Sequence, residues 1–235
     1  MSKLILFPVP IGAEDIGFSL PPANAELLAG CHTFIVEEIR SARRFLKRAG
    51  YPHAIDDTRF LELNEHTRQQ DIGNYLDAIA QGENIGLLSE AGLPCVADPG
   101  LLITREAQSR GIEVVPLIGP SSLMLALMAS GLNGQKFAFN GYLPVDKGAR
   151  TAAIRRLEER ALTEHQTQIF IEAPYRNNQM LEALCATLRP HTRLCVAVDI
   201  TLPSQSIRTL PVATWRSQRA STNLHKRPTV FLLGD

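Results

Sequence analysis

Two adjacent carboxylates, Glu37 and Glu38, close the apolar run Thr33-Phe34-Ile35-Val36 and open a stretch that carries Arg40, Arg43, Arg44, Lys47 and Arg48. A carboxylate at a strand end can take the proton of an acceptor hydroxyl or orient that hydroxyl, because an alcohol is a poor nucleophile until a base removes its proton. The same pair can instead cap the helix that follows, where negative charge at the N-terminus is favourable. Both readings stand on the sequence. The five cations fall on adjacent turns of one helix, and Lys147, Arg150, Arg155 and Arg156 form a second basic cluster. Such patches hold phosphate backbones, and equally serve as solvated faces. Arg176 follows Glu172 by four residues, so it either meets a phosphate or pairs with that acid.

The loop Ser89-Glu90-Ala91-Gly92-Leu93-Pro94-Cys95-Val96-Ala97-Asp98-Pro99-Gly100 follows directly on the apolar run Ile85 to Leu88. Small residues at the carboxyl end of a buried strand let main-chain amides and carbonyls approach a ligand. The construction recurs where Leu4-Ile5-Leu6-Phe7 enters Pro8-Val9-Pro10-Ile11-Gly12, and where Val114-Val115-Pro116-Leu117 enters Ile118-Gly119-Pro120-Ser121-Ser122. Three such corners point to one shared crevice.

Other chemistries find less support. The six histidines show no HxxxH or HxH spacing and none lies in the three corners, so no metal site is expected. Ser121-Ser122 lacks the G-x-S-x-G setting of a hydrolase nucleophile, and the first loop lacks G-x-G-x-x-G. Cys31, Cys95, Cys185 and Cys195 have no CxxC spacing, which fits a reduced cytoplasmic compartment rather than a disulfide framework. The amino terminus lacks the apolar stretch of a signal peptide. No run of about 18 apolar residues predicts a membrane span.

The elements that would position these residues alternate between strand and helix, as in βαβ units. Strands are expected at Leu4 to Val9, Thr33 to Val36, Ile85 to Leu88 and Glu113 to Leu117. Helices are expected at Ala23 to Ala29, over the basic stretch, at Thr67 to Gln81 and at Pro99 to Ser109. His53 to Leu63 reads as strand plus turn, and Ser121 to Ser130 as an apolar helix closed by Gly131. Beyond Gly119 strands sit closer together, at Phe137 to Gly141, Gln168 to Glu172, Arg193 to Asp199 and Thr229 to Leu233. Helices Lys147 to Arg160 and Asn177 to Leu188 lie between them, and a Ser-rich turn precedes the last strand. A mixed sheet is expected there. With 235 residues the chain fits two α/β domains, 1–118 and 119–235. Its 24 basic and 24 acidic residues balance, so any RNA contact must come from a local patch.

The three corners, with Glu37-Glu38-Ile39-Arg40, Gly141-Tyr142-Leu143-Pro144 and Glu172-Ala173-Pro174-Tyr175-Arg176, resemble the tetrapyrrole methylase superfamily of S-adenosylmethionine-dependent methyltransferases. The likeness runs from about residue 4 to the carboxyl terminus. It is strongest to the branch that methylates a cytidine ribose 2'-oxygen of small-subunit ribosomal RNA. Against that branch's pattern Val9, Ile39 and Leu93 replace threonines, Ala13-Glu14 replaces Asn-Leu, Tyr175 replaces a histidine, and Val198 and Leu202 replace cations.

The resemblance implies two α/β domains with the cofactor cleft between them, a homodimer, and S-adenosylmethionine as methyl donor. It places Pro10, Glu90, Gly92, Val96, Ser122, Leu123, Ile171 and Thr229 at that cofactor. Glu37 and Glu38 are the candidate catalytic carboxylates, as base or as orienter of the acceptor, and Arg40, Lys147, Arg150 and Arg176 the candidate contacts to an RNA substrate or ribosomal subunit. Two alternatives stay open: a methyltransferase for a tetrapyrrole or other small molecule, and a cofactor-binding protein without transfer activity.

Overall fold

A computed structural model of the chain describes residues 2–12, 15–64, 67 and 72–235. It resolves into two compact units, Met1–Ser121 and Ser122–Asp235. In the first, strands β1 (Lys3–Phe7), β2 (Cys31–Val36), β3 (Arg59–Glu62), β4 (Asn84–Leu88) and β5 (Glu113–Pro116) form a sheet in the order β3-β2-β4-β1-β5. Every pairing is parallel. Parallel strands need crossover connections, and helices α1 (Ile39–Arg48) and α2 (Leu101–Ser109) supply two of them.

The strands read as continuous apolar runs because both faces of the sheet are covered. Leu4, Leu6, Ile35, Ile85 and Leu87 join Ile72, Leu76 and Ile103 in one buried cluster. Ile5, Phe7, Phe34, Val36 and Leu88 join Leu28, Ala42 and Leu46 in another. Alternation of side chains along each strand thus feeds two cores, each large side chain contributing roughly 1.5–3 kcal/mol of burial. Gly86 on β4 is where the sheet admits the ring of Phe34: a Cβ there would lie 2.5 Å from Phe34 Cδ1. Since all strands run one way, the loops after β1, β2, β4 and β5 leave from a single edge. Of the helix expected over Thr67 to Gln81, residues 68–71 lie outside the described residues, as do Ala13 and Glu14; the described part holds a 3-10 turn at Gly73–Leu76 followed by Asp77–Ala80.

The second unit opens with helix α3 (Ser122–Ser130). Strands β6 (Phe137–Tyr142), β7 (Thr167–Ile171), β8 (Arg193–Val198), β9 (Ser206–Pro211) and β10 (Thr229–Gly234) form a mixed sheet, β6-β7-β10-β8-β9. Only β6 and β7 pair in parallel. Helices α4 (Lys147–Glu164), α5 (Asn177–Thr187) and α6 (Val212–Gln218) bury Ile154, Leu157, Met180, Leu184, Val212 and Trp215 against Phe170, Val196 and Phe231. α4 starts where Asp146 accepts from Ala149 N and ends at His165, φ 51°. It therefore runs one turn past Arg160.

Strand β9 and helix α6 correct the sequence reading, which placed only a Ser-rich turn between β8 and the last strand. Ser206-Ile207-Arg208-Thr209-Leu210-Pro211 is a half-buried edge strand, and an edge needs little apolar content and tolerates a terminal proline. Helix α6 is anchored by Trp215, whose Nε1 donates to Leu194 O at 2.8 Å. No local periodicity announces that hydrogen bond.

Candidate functional site

In the first unit the three corners meet. Val9 and Gly92 form an isolated antiparallel bridge, Val9 N donating to Gly92 O at 3.0 Å and Gly92 N to Val9 O at 3.1 Å. Gly92 sits at φ +76°, and a Cβ on it would lie 3.1 Å from Ile11 Cγ2 and 3.3 Å from Pro120 O. A Cβ on Gly119 would strike the Pro8 ring at 2.3 Å. First, second and third corners are therefore in van der Waals contact, as the recurrent strand-to-loop pattern led us to expect.

The second corner is braced from within. Ser89 Oγ donates to Gly92 O at 2.8 Å, and Asp98 Oδ1 accepts from Cys95 N at 3.2 Å and Gly100 N at 2.7 Å. Cys95 and Ala97 both hold left-handed backbone conformations, φ 67° and 58°. Strain of this kind persists only where surrounding contacts over-determine it, and Asp98 supplies them. Burial raises the pKa of Asp98, with its two amide hydrogen bonds opposing the rise. Sequence reasoning missed Asp98, although Asp98-Pro99-Gly100 is the kind of turn in which an aspartate binds its own loop.

Glu37 follows β2 at this edge. It remains solvent-accessible, yet partial desolvation of its carboxyl raises its pKa, and nearby Asp98 and Glu90 add to the rise. Glu38 has the other environment. Its carboxylate caps α1, accepting from Arg40 N and from Ser41 N, both at 2.7 Å, and from Ser41 Oγ at 2.7 Å. Those bonds, the Ser41 hydroxyl foremost, hold its pKa below the ordinary value. An anion so engaged is a weak base. The pair thus divides into an available carboxylate, Glu37, and a capping one, Glu38.

Arg40 is exposed on α1, while Arg43 pairs with Asp56. Beside the helix lies a hollow of about 420 Å³, bordered by Val9 to Gly12, by Leu88 to Ala91, and by Ser41, Ala42, Arg44, Phe45 and Arg48 on α1. Pro10 and Glu90 border it. Val96 stands apart in the second corner with 43% of its surface exposed.

In the second unit, β7 pairs with β10 so that Val230 faces Ile171, which sets Thr229 beside the end of β7. Thr229 is buried and its Oγ1 donates to Arg227 O at 3.0 Å. Ile171 is half-buried; Glu172 after it is fully buried, its Oε1 accepting from Ala173 N at 2.7 Å and from Arg176 Nη2 at 2.7 Å. Arg176 is accordingly committed to Glu172. Glu172 Oε2 is buried without a hydrogen-bond partner. Ser122 and Leu123 begin α3, half-buried and buried. Lys147 is exposed in the first turn of α4; Arg150 is half-buried, its Nε unpartnered. A further pair, Asp199 Oδ2 with Arg227 Nη2 at 2.7 Å, lies at the same sheet end and was not anticipated.

Solved structures share this architecture. The methyltransferase CobJ matches with a TM-score of 0.66 at 17% identity, over 100% of this chain and 95% of that one. A uroporphyrin-III C-methyltransferase from Thermus thermophilus, complexed with S-adenyl homocysteine, matches with a TM-score of 0.57 at 16% identity, over 100% and 98%. At such identities the likeness is one of fold, and the fold is that of methyltransferases. The chain belongs to the tetrapyrrole (corrin/porphyrin) methylases, S-adenosylmethionine-dependent methyltransferases whose family pattern matches residues 4–215. Among curated relatives, ribosomal RNA small subunit methyltransferase I of Pseudomonas aeruginosa is 30% identical over 99% of this chain and 79% of its own length. The protein of the same description from Escherichia coli O157:H7 is 31% identical over 89% and 69%. Among the described residues, no helix is long and apolar enough to cross a membrane, and no three His, Cys, Asp or Glu side chains are grouped to hold a metal.

Proposed function

We propose that the chain transfers a methyl group from S-adenosylmethionine to ribosomal RNA of the small subunit, at a cytidine ribose 2'-oxygen. Its relatives' descriptions supply the RNA; the observation carrying the reading here is the meeting of three main-chain-lined corners at one sheet edge, beside Glu37 and a basic helix. S-adenosylmethionine, when bound, supplies an electrophilic methyl carbon on a sulfonium, with a neutral thioether as leaving group. The protein's task is then to hold two reactants in line.

The residues fit such a donor. Gly92 leaves the second corner without a side chain where Ile11 and Pro120 close in, and Val96 offers exposed apolar surface. Pro10, Glu90, Gly92 and Val96 of the first unit would hold the donor. Glu37 accepts the proton of the ribose hydroxyl as its oxygen attacks; a carboxyl with a raised pKa is the better base for this. Glu38 keeps α1 in place. Arg40, Lys147 and Arg150 meet the RNA backbone, with Arg176 acting through Glu172. We take the working protein to be a cytoplasmic homodimer.

Incubation with small ribosomal subunits from a strain lacking this protein, with a labelled donor and nuclease mapping, tests the reading. Label on a cytidine ribose supports it; label confined to a tetrapyrrole, with none on ribosomal RNA, favours the family's other acceptor class and defeats it.

A further inference from the structure

Resting on the RNA reading above, we propose that the hollow beside α1 seats one nucleotide of a single-stranded RNA, with its phosphate against Arg44 and Arg48. At about 420 Å³ the hollow lies within the range of small-molecule sites, roughly 300–1,000 Å³, and is of nucleotide scale. Its walls differ in chemistry. One is the main chain of the first corner and of Ser89 to Ala91; the other is α1, where Arg44 and Arg48 are one turn apart and share a face with Ser41 and Phe45 close by.

The helix is fixed against the sheet by Ala42 and Leu46, both buried in the core, so the opposite face is presented rigidly. Arg44 is oriented as well. Its Nη2 donates to Ser41 Oγ at 3.2 Å, and that hydroxyl donates in turn to Glu38. The chain Glu38–Ser41–Arg44 aims a guanidinium while the capping carboxylate is satisfied by main-chain amides, leaving the arginine's remaining donors for an anion.

A second hollow of about 420 Å³ lies on the far side of Arg44, lined by Glu38, Ile39, Arg40, Arg43 and Lys47. Two hollows meeting at one guanidinium fit a strand whose phosphate recurs at every nucleotide. The acid bordering the first hollow, Glu90, disfavours a phosphate on its own side and so sets which end of the nucleotide faces α1. Glu90 also acts electrostatically on Glu37, the available carboxylate. A base held in a duplex has no entry to a concavity without leaving its stack, hence the single strand.

Fluorescence anisotropy with a short single-stranded RNA tests this on the full chain. R44A/R48A is expected to weaken binding about tenfold or more and to lower the slope of log affinity against log salt by about 0.7, the value for one phosphate no longer neutralised. Calorimetric affinity for S-adenosylhomocysteine and the melting temperature should stay at wild-type values. R44K/R48K should restore the slope but not the full affinity, because an ammonium lacks the guanidinium's fork. Affinity and slope unchanged in R44A/R48A would overturn the hollow as the seat while leaving the RNA reading intact; wild-type protein that binds no RNA would overturn both. Photo-cross-linking of 4-thiouridine RNA to the wild type needs no variant: adducts on residues 41–48 support the proposal, and adducts confined to residues 122–235 refute it. Equal affinity for duplex RNA refutes it too.

Discussion

Val9 and Gly92 exchange both of their main-chain hydrogen bonds, at 3.0 and 3.1 Å, tying together two loops that lie more than eighty positions apart in the chain. A bridge without side-chain involvement leaves the loop surface lined by backbone, and the left-handed Gly92 makes the approach possible.

Gly92→Ala should therefore cost about 1–2 kcal/mol for the left-handed backbone of a residue with a Cβ, plus crowding of Ile11 and Pro120 O. Urea unfolding measures the cost, and S-adenosylhomocysteine affinity should fall with it. A variant as stable as wild type would mean that the loop relaxes freely.

Asp98 separates charge from hydrogen bonding. Asp98→Asn keeps an Oδ1 for Cys95 N and Gly100 N, whereas Asp98→Ala leaves both partly buried amides without it, at roughly 1–3 kcal/mol. Because folding raises the pKa of Asp98, the folded state binds more protons than the unfolded one above the ordinary value of 3.8. Asp98's contribution is thus present at acid pH and lost as pH rises through its folded value. The stability of Asp98→Asn relative to wild type should increase across that interval; a difference that is flat with pH contradicts the assignment.

Glu37→Gln should lower turnover by about 10²- to 10⁴-fold with donor binding preserved, the range for loss of a general base. Wild-type turnover should itself fall toward acid pH as Glu37 takes up a proton, starting at a higher pH than an ordinary glutamate would set. Glu38→Ala acts by another route: it uncaps α1, so amide exchange at Arg40 and Ser41 should speed up while Glu38→Asp largely restores protection. Full turnover in Glu37→Gln would remove it as the base.

Cys31, Cys185 and Cys195 are buried, and burial pushes the Cys31 thiol up to about 12. Cys95, half-buried in the second corner, should be the first thiol labelled by a disulfide reagent. The reaction should be slow near neutral pH, because burial raises its pKa as well. S-adenosylhomocysteine should slow it further. Labelling of Cys95 indifferent to that ligand would place the ligand elsewhere than the second corner.

Much of this protein was settled by local chemistry. Continuous apolar runs such as Leu4 to Phe7 and Ile85 to Leu88 require a sheet covered on both faces. Gly-, Ala- and Pro-rich segments after them admit little but tight loops, and the cations of α1 sit where helical spacing puts them. These are matters of neighbours within a few residues, so sequence suffices. Tertiary structure decided what depends on partners far along the chain. It brought Pro8 against Gly119 and Gly92 against Pro120, made Glu38 a cap and left Glu37 available. It also engaged Arg176 with a fully buried Glu172, and made a half-polar segment into edge strand β9 because β8 lay beside it. Whether a carboxylate is base, cap or buried counter-ion is set by the water and charges around it, and folding alone assembles those surroundings.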